Sequence, residues 1–384
     1  MRNVYLDNNA TTRVAPEVVE AMAPFFTAFW GNPSSMHAFG GRVARHVATA
    51  RERVAALIHA DPSEIVFTSC GTESDNTAIR GAVEAAGPKV RVLTTRVEHP
   101  AVLSPCRHLA ELGVPVRELG VDAAGRLDLA ELRDALREDG SALVTIMWAN
   151  NETGVLFPIE EIAPMVKEAG GVLHTDAVQA VGKIPVDVRR TPVDLLSLSG
   201  HKLHAPKGIG ALYIRRGTKV NPFLLGGHQE NGRRGGTENV PYIVGLGRAC
   251  ERAAASMQDE TTRVAALRDA LESGLLSSCP DASVNGDRKH RLPNTTNMSF
   301  SFIEGEAILY HLSDLGVAAS SGSACTSGSL EPSHVIRAMG VPFTAAHGSI
   351  RFSLSRYNTE ADIAYVIEQM PPVVEKLRKL SPFV

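Results

Sequence analysis

Five side chains have a type and a place in the sequence that could do chemistry: Lys202, Asp176, His99, Cys325 and Arg351. Lys202 closes the run Ser199-Gly200-His201-Lys202, directly after an apolar, strand-like stretch at 194–198. Such a polar run continues a sheet poorly. It does place a lysine at the carboxyl edge of a strand, where open α/β sheets bind ligands. An amine there can form a Schiff base with a carbonyl when burial or nearby positive charge keeps part of it neutral. For one isolated lysine, a solvated turn is the commoner explanation. The other four residues change that balance.

Asp176 ends another buried run in His174-Thr175-Asp176-Ala177-Val178-Gln179. Pyridoxal phosphate needs an anion near its ring nitrogen to act as an electron sink; a helix N-cap is the alternative use of such an aspartate. Thr68-Ser69-Cys70-Gly71-Thr72-Glu73 joins a strand at 64–68 to a helix starting near 71. Its small residues leave backbone N–H groups free to face an anion at the helix N-terminus. The segment lacks the Walker lysine and the spaced glycines of a dinucleotide fingerprint, which disfavours nucleotide. Glu98-His99-Pro100 follows a third strand, and Pro100 suits a first helical turn. Lys202, Asp176, His99, the Gly71-Thr72 turn and Asn151 all follow strands on the same side of one sheet. Their convergence favours a pyridoxal phosphate site.

Cys325 sits among nine small residues in the run 320–329. That run has no helical or strand period and is expected to be mobile. Its neighbours cannot bury the thiol, and an exposed thiol on a tether suits a nucleophile; a plain surface loop is the alternative. Cys106, Cys250 and Cys279 read as structural, and Cys70 adjoins the anion turn. Arg351 lies in a strand-like run, where a buried guanidinium needs an anionic partner. A substrate carboxylate could supply it through a bidentate contact, and so could a structural salt bridge.

These residues need a scaffold, and 384 residues allow about two or three domains. A net charge of −3 gives no reason to expect nucleic acid or a membrane surface as partner. Five cysteines without CxxC spacing suggest neither a disulfide framework nor an intrinsic metal site. Reduced thiols, no signal-peptide pattern and no apolar run of about 18 residues together lead to the expectation of a cytoplasmic protein. Strand-like runs at 64–68, 90–94, 142–148, 171–175, 194–199 and 211–214 alternate with helical patterns such as 71–86, 101–112 and 158–169. This predicts an α/β fold, a mainly parallel sheet sandwiched by helices. Asp128 is expected to cap a helix, with Glu131 completing a capping box. A long helical pattern over 240–276 leads to strands at 294–300 and 349–354 and a helix at 304–314. A last helix from about 359 meets Pro371-Pro372, which should break or kink it. The division expected is a large domain over 16–250 and a smaller α+β domain from 1–15 and 251–384, the latter carrying the cysteine loop 320–330.

Several longer runs then come into play: 5–12 (YLDNNATT), 29–35 (FWGNPSS), 95–102 (TRVEHPAV), 149–154 (ANNETG), 174–179 (HTDAVQ), 199–208 (SGHKLHAPKG), 234–239 (RGGTEN) and 320–334 (SSGSACTSGSLEPSH). With these, the whole chain resembles the cysteine desulfurases of the class V aminotransferases, within pyridoxal-phosphate fold type I. The long cysteine loop resembles group I, and the runs around 147–151 and 224–230 resemble the nitrogen-fixation (NifS-type) branch. The resemblance implies that Lys202 carries the cofactor and later moves the Cα proton. It implies that Asp176 pairs with the pyridinium, Gln179 with the phenolate oxygen, and that His99 stacks on the ring and aids proton transfer. Gly71, Thr72, Ser199, Gly200 and His201 would hold the phosphate, joined by Thr237 from the partner subunit of a homodimer. Asn151 and Arg351 would bind cofactor and substrate oxygens, Arg351 taking the carboxylate. The implied reaction turns L-cysteine into L-alanine, with sulfur held as a persulfide on Cys325. An iron–sulfur scaffold protein serving nitrogenase would accept the sulfur, and Cys325 could ligate a transferred cluster. A housekeeping desulfurase, a selenocysteine or cysteine lyase independent of Cys325, and a silent sulfur carrier are the rival readings.

Overall fold

The computed structural model describes residues 2–321 and 332–381. Cys325 and the rest of 322–331 lie outside the described residues. Strand β1 (Val4–Tyr5) opens the chain. A seven-stranded sheet follows, from β2 (Ile65–Thr68), β3 (Val90–Thr95), β4 (Val116–Leu119), β5 (Ser141–Thr145), β6 (Val172–Asp176), β7 (Leu195–Ser199) and β8 (Gly210–Ile214). Their order is β2-β8-β7-β6-β5-β3-β4. The pairs β4–β3, β3–β5, β5–β6 and β6–β7 are parallel, and β8 runs antiparallel to both its neighbours. The mainly parallel sheet expected from the alternating runs is therefore present.

Both faces of this sheet are covered, which explains why its strands are apolar without interruption. Side chains of a strand alternate between faces. Leu196 and Leu198 of β7 join a cluster with Val43, Val47, Val244 and Leu246. Leu195 joins the opposite cluster with Ile79, Val102 and Leu109. A third cluster unites the two ends of the chain: Val4 and Leu6 pack with Leu271, Met298, Phe300, Phe352 and Val366. It covers a three-stranded antiparallel sheet of β9 (Ala282–Asn285), β10 (Thr295–Phe300) and, beyond the short β11 (Val317–Ala318), β12 (Ser349–Ser353). Strand β11 pairs in parallel with β1.

Three local expectations need correction, and one strand stands where none is expected. Strand β4 was not foreseen, because Arg117 and Glu118 interrupt its apolar character. It is an edge strand, where such charges discourage further pairing. The long pattern over 240–276 is two helices, Val240–Asp259 and Ala265–Ser278, joined by a π-helical turn at Glu260–Val264. The last helix runs unbroken from Glu360 to Leu380 through Pro371 and Pro372. Buried Val366, Met370, Val373 and Val374 hold one face to the core, while Pro372 and Glu368, four residues before it, lie on the exposed face. Asp128 does cap its helix through Ala130 and Glu131 N–H, but Glu131 turns instead to Gly120 N–H and Arg117.

Cys106 and Cys250 are buried, and burial pushes both thiols up to about 12. They are inert apolar fillers. Among the described residues no helix is long and apolar enough to cross a membrane. No cluster there could hold a metal ion.

Gly182 lies in the turn after β6 with φ +78°. A Cβ there would come within 2.3 Å of Leu203 Cδ2 and 3.1 Å of Ala253 Cβ. Gly182→Ala should destabilise by about 2–4 kcal/mol from backbone strain plus overpacking. Urea unfolding followed by circular dichroism measures it; an unchanged midpoint would refute the close approach.

Candidate active site

The parallel strands deliver their carboxyl ends to one edge, and a cavity of about 570 Å³ lies there. Gly71, Thr72, His99, Asn151, Asp176, Gln179, Ser199, His201, Lys202 and Arg351 all line it. Gly200 does not. It is buried in the 3-10 turn Gly200–Lys202, where its N–H donates to Ile209 O at 2.9 Å. Thr237 lies apart too, in a cavity with Phe29, Trp30 and Asn32.

Lys202 leaves β7 on that turn, and its Nζ donates to the carbonyls of Asn9 (2.5 Å) and Ala10 (2.7 Å). The N-terminal arm thus wraps the lysine turn. Thr12 holds His201 O through both its N–H and its hydroxyl, and His201 Nδ1 lies 3.2 Å from Thr11 Oγ1. Burial and the adjacent Lys202 push His201 down to about 3.

Asp176 starts no helix. Its Oδ1 accepts the N–H of Val178 at 2.9 Å. Burial raises its pKa to about 6, against the pull of Lys202. Behind it lies a layer that the motifs did not reveal. His174 is fully buried between Thr145 Oγ1 (2.8 Å) and Ser197 Oγ (3.0 Å), and Asp75 Oδ1 stands 3.5 Å from its Nε2. Burial drives His174 down to about 3 and, with Asp176, raises Asp75.

His99 is the N-cap of the helix Pro100–Glu111, its Nδ1 accepting from Ala101 N–H at 3.1 Å. That bond puts the ring proton on Nε2 of the neutral ring. Burial, aided by Lys202, lowers its pKa to about 4. Beside it, Glu98 accepts from Thr95 Oγ1 and from Met147 N–H, and burial lifts it to about 8.

Arg351 is buried on β12. Its Nη2 meets Asp7 Oδ1 at 2.8 Å and its Nη1 donates to Asn151 O at 3.1 Å, while Nε has no partner among the described residues. The salt-bridge alternative is realised, on a guanidinium that also lines the cavity. Gln179 is engaged at both ends: Nε2 donates to Asn9 O and Oε1 accepts from Lys183.

Residues 4–366 match the Aminotransferase class-V family. The chain belongs to that family. It is 61% identical over 383 residues to a cysteine desulfurase of Trichormus azollae, covering 100% of this chain and 96% of that one. It is 59% identical over 384 residues to the cysteine desulfurase NifS of Azotobacter vinelandii, with 100% and 95% covered. A solved NifS-like protein, 40% identical, superposes with a TM-score of 0.92 over 98% of this chain and 100% of its own. The chain takes its place among the cysteine desulfurases, pyridoxal-phosphate enzymes of fold type I.

The class-V site fits that cofactor. Ser199 Oγ is buried and has no hydrogen-bond partner among the described residues. Gly71 opens its helix with no side-chain cap from Cys70, and a Cβ on it would meet Val178 Cγ2 at 2.9 Å. An orphaned hydroxyl beside uncapped helix N–H groups suits a phosphate. Asp176 and Lys202 suit the ring nitrogen and the aldehyde.

The buried Glu98 yields a test of this electrostatic setting. A carboxyl raised from 4.5 to about 8 binds more protons folded than unfolded between those values. Its favourable contribution is full below about 4.5 and is lost as pH rises through about 8. The apoenzyme stability of Glu98→Gln relative to wild type should therefore climb across that window and level off above it. Parallel stability curves would contradict the shift.

Proposed function

We propose that this chain converts L-cysteine to L-alanine and holds the sulfur as a persulfide on Cys325. The observation that carries this is the meeting, in one cavity, of Lys202, Asp176, an uncapped helix N-terminus and Arg351. When bound, pyridoxal phosphate supplies the electron sink that lets a proton leave the substrate Cα. Gly71, Thr72, Ser199 and His201 would hold its phosphate, Asp176 its ring nitrogen and Gln179 its phenolate oxygen. Lys202 Nζ would anchor the aldehyde and would hold and return the substrate Cα proton. His99, neutral with its proton on Nε2, lines the cavity where it could pass protons without adding charge. Asn151 and Arg351 orient the substrate, Arg351 binding the carboxylate.

The Cys325 thiolate attacks the substrate sulfur. The S–S bond forms, the Cβ–S bond breaks, its electron pair stays with carbon, and a proton completes alanine. Both described flanks of the cysteine segment support this role. Ser320 and Arg351 exchange backbone hydrogen bonds. Ser333 Oγ donates to Glu152, and His334 Nε2 lies 2.9 Å from Glu98 O.

The chain works as a homodimer in the cytoplasm, Thr237 of the partner subunit completing the phosphate site. The 59% identity to a NifS protein favours an iron–sulfur scaffold serving nitrogenase as the acceptor. Deleting the gene should abolish growth on dinitrogen and spare growth on ammonium; loss of both would mark a housekeeping desulfurase.

With L-cysteine and a thiol reductant, the wild type should release alanine. Cys325→Ala should keep the yellow cofactor and lose at least about a hundredfold in alanine, as expected when a nucleophile is removed. Alanine at equal rates from both would rule out Cys325 as the nucleophile. Pyruvate in place of alanine would indicate a lyase.

A further inference from the structure

Four residues past Gln179, Lys183 is 6% exposed. Its ammonium donates to Gln179 Oε1 at 2.7 Å and to Asn9 Oδ1 at 3.0 Å. Among the described residues no carboxylate lies within ion-pair distance of it. A buried ammonium without a paired anion is costly, and a packed apolar side chain of the same length would avoid that cost. What the charge gains is control of two acceptors, both belonging to the catalytic cavity.

Asn9 is the more informative of the two. Its N–H donates to Ser353 Oγ, and its side-chain amide donates to Thr295 Oγ1 and Asn151 O. Its Oδ1 accepts from Lys183 and Asn294, and its backbone oxygen accepts from Gln179 Nε2 and Lys202 Nζ. Lys202 and Lys183 therefore hold the same residue, one by its main-chain oxygen and one by its side chain. Gln179 has its Oε1 tied to Lys183, which fixes which end of the amide is the donor toward the cavity.

We propose that Lys183 is a positioning residue for the reaction: through Asn9 and Gln179 it sets where the Lys202 amine and the Gln179 amide stand. This rests on the reading of Lys202 as the lysine that anchors the cofactor. The groups that face Lys183 are Lys202, His201 and His204 from the lysine turn, Glu260 from the π turn and Arg351 from β12. Burial and Lys202 bring Lys183 down to about 7, with Glu260 opposing. Gly182 lets this turn press against Leu203, which keeps the two lysines on adjacent segments.

Two readings test it, neither of them turnover. The first is the rate at which apoenzyme takes up pyridoxal phosphate at pH 7, which follows where the Lys202 amine stands. The second is the pH at which the visible band of the holoenzyme titrates. In Lys183→Met, uptake should be about tenfold slower and the band should titrate about one unit away from the wild-type value, a unit being a tenfold change. Lys183→Arg should restore both to within about twofold. If Lys183→Met does not fold, Lys183→Gln is read in the same way and should change both readings. Wild-type uptake and titration in the folded variant would overturn the proposal. Lys202→Ala, run alongside, separates the two readings. Wild-type uptake in that variant would sink the assignment of Lys202 itself. With that assignment intact, an unchanged Lys183→Met sinks only the proposal made here.

Discussion

The backbone oxygen of Asn9 accepts hydrogen bonds from Lys202 Nζ and Gln179 Nε2, and the geometry of the whole cavity follows from where that oxygen stands. A free lysine side chain loses about 2 kcal/mol of rotamer entropy on being fixed. Here two consecutive carbonyls of the arm fix it. The arm is in turn held by β1 against β11, by Asp7 against Arg351, and by Asn8 and Asn9 against Ser353. The sheet supplies the direction of Lys202 and Asp176, while the arm supplies their precision.

One force explains most of the site's electrostatics. Removal from water raises Glu98, Glu152 and Asp176 and lowers His99, His174, His201, His204 and Lys183. Every shift favours the uncharged form, as expected where desolvation leads. The histidines are consequently neutral at pH 7. Charge that develops in such a setting is felt strongly by the few groups that remain ionised. Arg351 is paired with Asp7.

Much of this was legible before any coordinates. Lys202, Asp176, His99 and the Gly71 turn stand at strand ends, and strand ends can be read from apolar runs bounded by polar residues. Parallel pairing then puts them on one edge. The roles of Asp75, His174 and Lys183 were not legible, since their neighbours in sequence give no sign of the partners they meet only in three dimensions. Gly200 shows another limit. It stands within the lysine motif, yet it serves the turn and not the cavity. The Pro371-Pro372 pair was misread because local propensity yielded to packing by Val366, Met370, Val373 and Val374. The cysteine loop was conspicuous for its small residues, a compositional signal that carries no coordinates.

Asn9 contacts Ser353 across a sequence separation of 344 residues and Thr295 across 286. These closures come last in synthesis. A chain emerging amino end first can build most of the seven-stranded sheet while the carbonyl that steadies Lys202 still lacks its supports. Such distant pairings form slowly as well. The Lys202 ammonium is therefore not held in its final place until the segments bearing Thr295 and Ser353 have folded back onto the arm.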